Sequence, residues 1–126
     1  MANEVKLSVS LRVSNGNADD SFLASGLRFD QSTQGSFGGI VQIGTATETL
    51  AIGDVANAGF AAFRNLSTAT AGTAYIAIGK YDGTNLHEFA SLRRGQPAVV
   101  PLASTVTIGA RAYGTALPLR YVVFSE

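Results

Sequence analysis

Cysteine and tryptophan are both absent from the 126 residues. Without cysteine there is no thiol nucleophile, no thiolate metal site, no redox switch and no disulfide staple. A packed apolar core must therefore hold the fold, and the 46% hydrophobic content is sufficient to build one. Charge is also scarce: 14% of residues carry one, against about 25% in an average soluble domain. Neither sign is in excess, with nine basic and nine acidic residues. A protein whose main partner is the nucleic-acid backbone presents a basic surface, so a direct nucleic-acid partner is not expected. No run approaches the ~20 apolar residues of a membrane-spanning helix, so no membrane partner is expected. The opening MANEVKLSVS lacks the apolar centre of a signal peptide. These features together predict a soluble protein made in the cytoplasm. A weakly charged, neutral surface associates readily, which suits a subunit of an assembly.

What is present is strand signal. Over residues 4–14 the alternation is unbroken: Val5, Leu7, Val9, Leu11 and Val13 face one way, and Lys6, Ser8, Ser10, Arg12 and Ser14 the other. Side chains alternate along a strand, so this pattern predicts a half-buried one. Asn15-Gly16-Asn17 then marks a turn. Further strands are predicted around Leu27 and Phe29, over residues 40–45, 48–52, 60–66 and 75–80, and, after the hairpin signal Asp82-Gly83, over 86–92. Arg93-Arg94-Gly95-Gln96-Pro97 turns the chain again. Residues 98–102, 106–112 and 117–124 complete nine or ten short strands. Helical periodicity is weak; residues 54–60 could form one turn. The expected fold is all-β, a single-domain β-sandwich of jelly-roll type over residues 1–126, with residues 1–4 as an extended arm.

Four segments share two aliphatic residues followed by glycine: Val41-Gln42-Ile43-Gly44, Leu50-Ala51-Ile52-Gly53, Ile76-Ala77-Ile78-Gly79 and Val106-Thr107-Ile108-Gly109. Their spacing is irregular, which excludes a solenoid. The glycines are expected at strand ends, bulges or bends. They do not precede a helix, as a phosphate-cradling loop would require.

Catalytic signals are missing. His87 stands inside a predicted strand, and no Gly-x-Ser-x-Gly elbow is present. Asn15, Asn17 and Asp19 alternate like the first ligands of a calcium loop. The loop's sixth position, where glycine is needed, is Asp20, and its twelfth, where glutamate is needed, is Gly26. The nine carboxylates form no recognisable acid–base pair. No catalytic, cofactor-binding or metal-ligating residue is therefore assigned, no cofactor is expected, and the chain is read as a non-enzyme. Tyr75, Tyr81, Tyr113 and Tyr121 could stack on sugar rings, so a carbohydrate-binding sandwich is one alternative. Asn65-Leu66-Ser67 matches a glycosylation acceptor, which carries no meaning without secretion. Arginine outnumbers lysine seven to two. Its planar, bidentate head favours interfaces, so Arg64, Arg93, Arg94, Arg111 and Arg120 are the candidate contact residues.

Gly53-Asp54-Val55 runs on through Phe60-Ala61-Ala62-Phe63-Arg64-Asn65-Leu66 to Tyr75-Ile76-Ala77-Ile78-Gly79. Then come Phe89-Ala90-Ser91-Leu92-Arg93-Arg94-Gly95-Gln96-Pro97-Ala98-Val99-Val100-Pro101-Leu102, Ala110-Arg111-Ala112 and Leu119-Arg120-Tyr121-Val122-Val123-Phe124. This pattern resembles small β-rich virion proteins of tailed bacteriophages, especially capsid cement (decoration) proteins. The resemblance covers roughly residues 53–126; the first half fits it only as strands. It implies a protein on the outside of a virion shell, bound to the major capsid protein and commonly a homotrimer. It carries no contact residues over to this chain. A phage tail or fibre module is a further alternative.

Overall fold

Alternating apolar and polar residues favour extended chain, because a strand turns successive side chains to opposite faces. The computed structural model describes residues 5–16, 18–29, 36–53, 55, 57–68, 73–103 and 106–125. The strands are β1 (Val5–Asn15), β2 (Ala18–Phe29), β3 (Ser36–Ile43), β4 (Glu48–Thr49), β5 (Ala58–Asn65), β6 (Tyr75–Tyr81), β7 (Leu86–Leu92), β8 (Pro97–Pro101), β9 (Ile108–Tyr113) and β10 (Leu117–Ser125). All paired neighbours are antiparallel. The chain is all-β, as its alternation predicts. It divides into two units, residues 1–32 and residues 33–126. The expected arm, residues 1–4, lies outside the described residues.

From its ends inward, the second unit pairs as one long hairpin: β3 with β10, β4 with β9, β5 with β8, and β6 with β7. The ribbon wraps so that β10 also pairs with β5, and β9 with β6. Two four-stranded sheets result, ordered β3-β10-β5-β8 and β4-β9-β6-β7. This wrapped ribbon is the jelly-roll form of a β-sandwich. Its tip is the Asp82-Gly83 turn. There the Asp82 carboxylate Oδ1 accepts the backbone N–H groups of Thr84 at 2.8 Å and Asn85 at 2.6 Å.

The core lies between the two sheets. Ile43, Phe63, Leu117, Leu119 and Val123 come from one; Ile76, Ile78, Leu92, Ile108, Ala110 and Ala112 come from the other. Asn65 joins the sheets by a polar bridge. Fully buried, it donates from Nδ2 to the Leu92 carbonyl at 2.9 Å, and its Oδ1 accepts the Ser67 N–H at 2.8 Å. Its backbone is also paired, with Gln96 and Gly95. Asn65 of the apparent glycosylation motif is thus an internal staple with its amide already engaged. Tyr121, also buried, sends its hydroxyl to the Ala51 carbonyl at 2.8 Å.

The first unit is the two-stranded β1–β2 ribbon. Val5 pairs with Phe29, Leu7 with Leu27, Val9 with Ala24, Leu11 with Phe22, and Val13 with Asp20. Directly opposed residues share a face. The apolar residues of β2 change parity between Phe22 and Leu27, and a bulge opposite Ser8 restores them to one face. Gly26 sits in that bulge at φ +70°, a backbone that L side chains rarely adopt, and its N–H faces Ser8 Oγ at 3.4 Å. The parity change explains why the alternation reveals only the end of β2. The expectation of a half-buried β1 holds for Val5, Leu7 and Val9, which are partly buried, and fails toward the turn, where Leu11 is 63% and Val13 48% exposed.

Other departures have local causes. The possible helical turn at 54–60 is not formed at its end: residues 58–60 belong to β5, where Phe60 pairs with both Phe124 and Pro101. Residues 54 and 56 lie outside the described residues. The fourth strand is shorter than expected, because after Leu50 the chain turns through Gly53 at φ +58°. The third begins earlier than expected, since β10 holds Gly38 and Gly39 in register despite their weak strand propensity. Of the aliphatic–glycine segments, Gly44 follows the end of β3, Gly53 lies in a turn and Gly109 is inside β9. Gly79 stands at the β6–β7 bulge, where an added Cβ would collide with the His87 carbonyl.

The buried staple yields a stability prediction. Asn65→Ala removes the side-chain donor to the Leu92 carbonyl inside the core, at a cost of about 1–3 kcal/mol. Urea unfolding is expected to show a lower midpoint at unchanged slope.

Candidate interaction surface

A sandwich buries one face of each sheet, so what covers the other faces is the functional question. On β10 the inward residues are Leu117, Leu119, Tyr121 and Val123. The residues between them face out, and the register carries this parity across the sheet. One outward row is Ile40, Arg120, Arg64 and Pro97; the next is Gly38, Val122, Ala62 and Val99; the third is Ser36, Phe124, Phe60 and Pro101. Apart from the two arginines and Ser36, these rows hold only apolar side chains and a glycine. Ile40 is 68% and Val99 45% exposed. A shallow open depression runs across the middle of this face, with Ala62, Arg64, Pro97, Val99, Arg120 and Val122 in its lining.

Arg64 and Arg120 are direct cross-strand partners on the two central strands of the sheet. Like charges placed opposite each other are destabilising. Among the described residues neither has a carboxylate partner, and Arg64 Nε makes only a long bond to the Gly95 carbonyl at 3.4 Å. The face therefore offers two guanidinium forks within apolar surroundings, suited to a partner that brings carboxylates and apolar groups together.

The other three candidate arginines lie elsewhere. Arg111 is on β9, where Nε donates to the Thr45 carbonyl at 2.8 Å and the guanidinium lies 4.7 Å from the Tyr113 ring centre. Tyr113 stacks on Tyr75 at 4.6 Å, and Arg93 lies 6.0 Å from the Tyr75 ring centre. The Tyr113 hydroxyl donates to Glu88 Oε1 at 2.8 Å, and that bond, followed by burial, raises the Tyr113 pKa. The sheet β4-β9-β6-β7 thus covers its outer face with its own layer of tyrosine, arginine and glutamate. Tyr75 and Tyr113 engage each other and two arginines, so they are not the open platform that sugar stacking requires. Tyr121 is buried, which raises its pKa, and Tyr81 turns its hydroxyl to the Gly83 carbonyl at 3.1 Å. Arg94 is exposed in the β7–β8 turn.

His87 Nε2 lies 3.2 Å from Asp82 Oδ2, both exposed at the hairpin tip. The backbone N–H groups of Asn85 and then Thr84, with His87 as a third donor, hold the Asp82 pKa at about 2, below its ordinary 3.8. Residues 15–26, weighed as a calcium loop, form the end of β1, a turn and most of β2. Asn17 lies outside the described residues, as do the side chains of Asn15 and Asp19. Among the described residues no group of three potential metal ligands comes together.

Sequence reasoning reached Arg64 and Arg120 but missed the apolar rows around them. Their signal is continuous apolar runs, Val122-Val123-Phe124 and Ala98-Val99-Val100, which suit a strand covered on both faces.

No family model matches the chain, and no curated protein matches it. Among solved structures there is similarity to a chain from Bacillus endospore appendages, described as forming a novel family of disulfide-linked pili. The identity is 11% and the TM-score 0.44, over 77% of this chain and 94% of that one.

Two predictions follow from these side chains. Arg64→Glu replaces a like pair by an opposite one and raises the unfolding midpoint of the free protein, by about 0.2–1 kcal/mol in stability. Arg120→Glu does the same, and the double exchange returns to the starting value. For Asp82 the folded pKa lies below the unfolded one. Its contribution to the hairpin is thus present above about pH 4 and disappears as the pH falls through about 2. Carboxylate-detected NMR is expected to place its midpoint near 2, and Asp82→Asn abolishes this acid dependence.

Proposed function

We propose that this chain is a non-enzymatic structural protein of a bacteriophage virion, a decoration protein that binds the outside of the capsid and stabilises the shell. The observation that carries this reading is the outer face of β3-β10-β5-β8, largely apolar and bearing the Arg64–Arg120 pair without a counter-charge among the described residues. Its partner in this reading is the major capsid protein, supplying carboxylates to the guanidinium forks and apolar contacts to Ile40, Val99 and Val122.

The size of the face sets the mechanism. Four strands about 4.8 Å apart, spanning a few residue pairs at about 3.4 Å each, offer on the order of 300–500 Å². A stable pairwise interface needs about 800 Å² on each side. One copy alone would bind weakly. A homotrimer places three such faces on neighbouring capsid subunits, and linked sites gain from high effective concentration. Binding that exists only in the assembled state stabilises that state, and repetition over the shell multiplies a modest energy per contact.

The test is co-sedimentation of purified protein with shells lacking it, followed by heating. Wild-type protein is expected to sediment with the shells and raise the temperature at which they open. The Arg64→Glu/Arg120→Glu double variant is expected to lose most of the binding. Equal binding by the double variant, or absence of the protein from purified particles, would overturn the reading. Gold labelling on tails in place of heads would assign it to the tail.

A further inference from the structure

We infer that the free edge of β3 receives an extended segment of the capsid partner as an added strand, and that this segment brings a carboxylate to Arg120. The inference rests on the partner of the proposed function and assigns it the sheet edge beside the arginine face.

In a strand the N–H and C=O of one residue point to the same side, and successive residues alternate between the two neighbours. The Leu66 N–H donates to the Pro118 carbonyl at 3.0 Å, so the Pro118 backbone faces β5. The backbones of Leu119, Tyr121 and Val123 therefore face β3, where they meet Val41, Gly39 and Phe37. Those of Ser36, Gly38, Ile40 and Gln42 are left pointing away from the sheet. All four residues are exposed, and among the described residues nothing pairs with this edge.

The other edges of the two sheets are each guarded. The Asn65 N–H donates to the Gln96 carbonyl and the Leu102 N–H to the Gly59 carbonyl, so on β8 the backbones of Pro97, Val99 and Pro101 point outward. The two prolines have no N–H to offer there. β4 is two residues long, and β7 is broken by the bulge opposite Gly79 and carries His87 and Glu88. Prolines, short length, bulges and charge are the means by which a sheet edge is kept from pairing. β3 uses none of them: its eight residues hold no proline and no charge. An unguarded edge is the template for strand addition, in which the main chain gives affinity and alternate side chains give specificity. Gly39 fits this use. A Cβ added there would meet nothing within 4 Å, so the fold itself does not demand glycine, whereas close approach of another backbone favours it.

Charge selects the occupant. A second copy pairing through β3 would bring no carboxylate and would join two Arg64–Arg120 pairs on one continuous sheet. A partner strand carrying a glutamate or aspartate on its outward side supplies the missing counter-charge. Such a strand lies two strand spacings, about 9.6 Å, from β10, within the combined reach of an arginine and a glutamate side chain. Arg120 is exposed and stands opposite Ile40. Gly38, the next outward residue of β3, has no side chain to block the approach.

The experiment is residue-resolved hydrogen exchange by mass spectrometry, on the free protein and on protein bound to shells lacking it. In the free protein the amides of Gly38, Ile40 and Gln42 are expected to exchange as fast as open chain, and those of Val41 and Ile43 slowly. On the shells the three edge amides are expected to lose their fast exchange. Two variants separate strand addition from simple coverage. Gln42→Pro removes one edge N–H and no bond to β10, and is expected to bind shells about tenfold more weakly, the scale of one lost hydrogen bond. Gln42→Ala keeps that N–H and is expected to bind like wild type. The thermal midpoint of Gln42→Pro checks its fold, and the wild-type exchange pattern stands without it. Edge amides that are slow in the free protein, edge amides that stay fast on the shells, or equal binding by folded Gln42→Pro and Gln42→Ala overturn the inference. Protein that sediments with shells while its edge stays fast leaves the proposed function standing; protein that does not sediment with them removes both.

Discussion

Each strand has two faces, and the core of a sandwich can take only one. The rest of this structure follows from how the remaining faces are treated. On β4-β9-β6-β7 the chain supplies its own cover: Tyr75 and Tyr113 stack, Arg111 and Arg93 lie by their rings, and Glu88 accepts the Tyr113 hydroxyl. On β3-β10-β5-β8, among the described residues, Arg64 and Arg120 have no carboxylate partner. Ile40, Val99 and the Arg64–Arg120 pair are left as they would be on a surface awaiting a second one. The β1–β2 ribbon gathers most of its apolar residues on one face through the bulge at Gly26.

How much of this was legible depended on local punctuation. Leu86–Leu92 is read to the residue, because Asp82-Gly83 closes it on one side and the Arg93–Pro97 turn on the other. Near the middle of the chain the reading weakens. Gly38 and Gly39 have poor strand propensity and are held extended by pairing with Val122 and Tyr121 of a strand some 80 residues away. Ala51 leaves the sheet where its carbonyl accepts the Tyr121 hydroxyl, a contact between residues 70 positions apart. Neither cause is present in a short window of sequence. Gly26 shows a subtler failure: a bulge shifts parity by one, and a strict search for alternation stops at it.

The candidate site divides in the same way. Arginine is the candidate contact residue by its chemistry and its excess over lysine, which is a property of composition. Composition cannot say which arginines meet. Arg64 and Arg120 are 56 positions apart and become neighbours only because β5 and β10 pair in that register. Arg111 and Arg93, equally plausible beforehand, are spent on tyrosine rings. Asn65-Leu66-Ser67 shows the converse: a motif that reads as a surface signal is an internal staple, because Asn65 falls on the inward parity of β5 beside the open Leu92 carbonyl.

By itself, then, the sequence determined the all-β class, most strand positions, the hairpin tip at Asp82 and the dependence on an apolar core. These follow from side-chain alternation and turn chemistry, which act over a few residues. The tertiary structure alone decided the strand order, the meeting of Arg64 with Arg120, the burial of Asn65 and which side chains share each outer sheet face. Those depend on register between distant strands, and a shift of one residue in register turns every outward side chain inward.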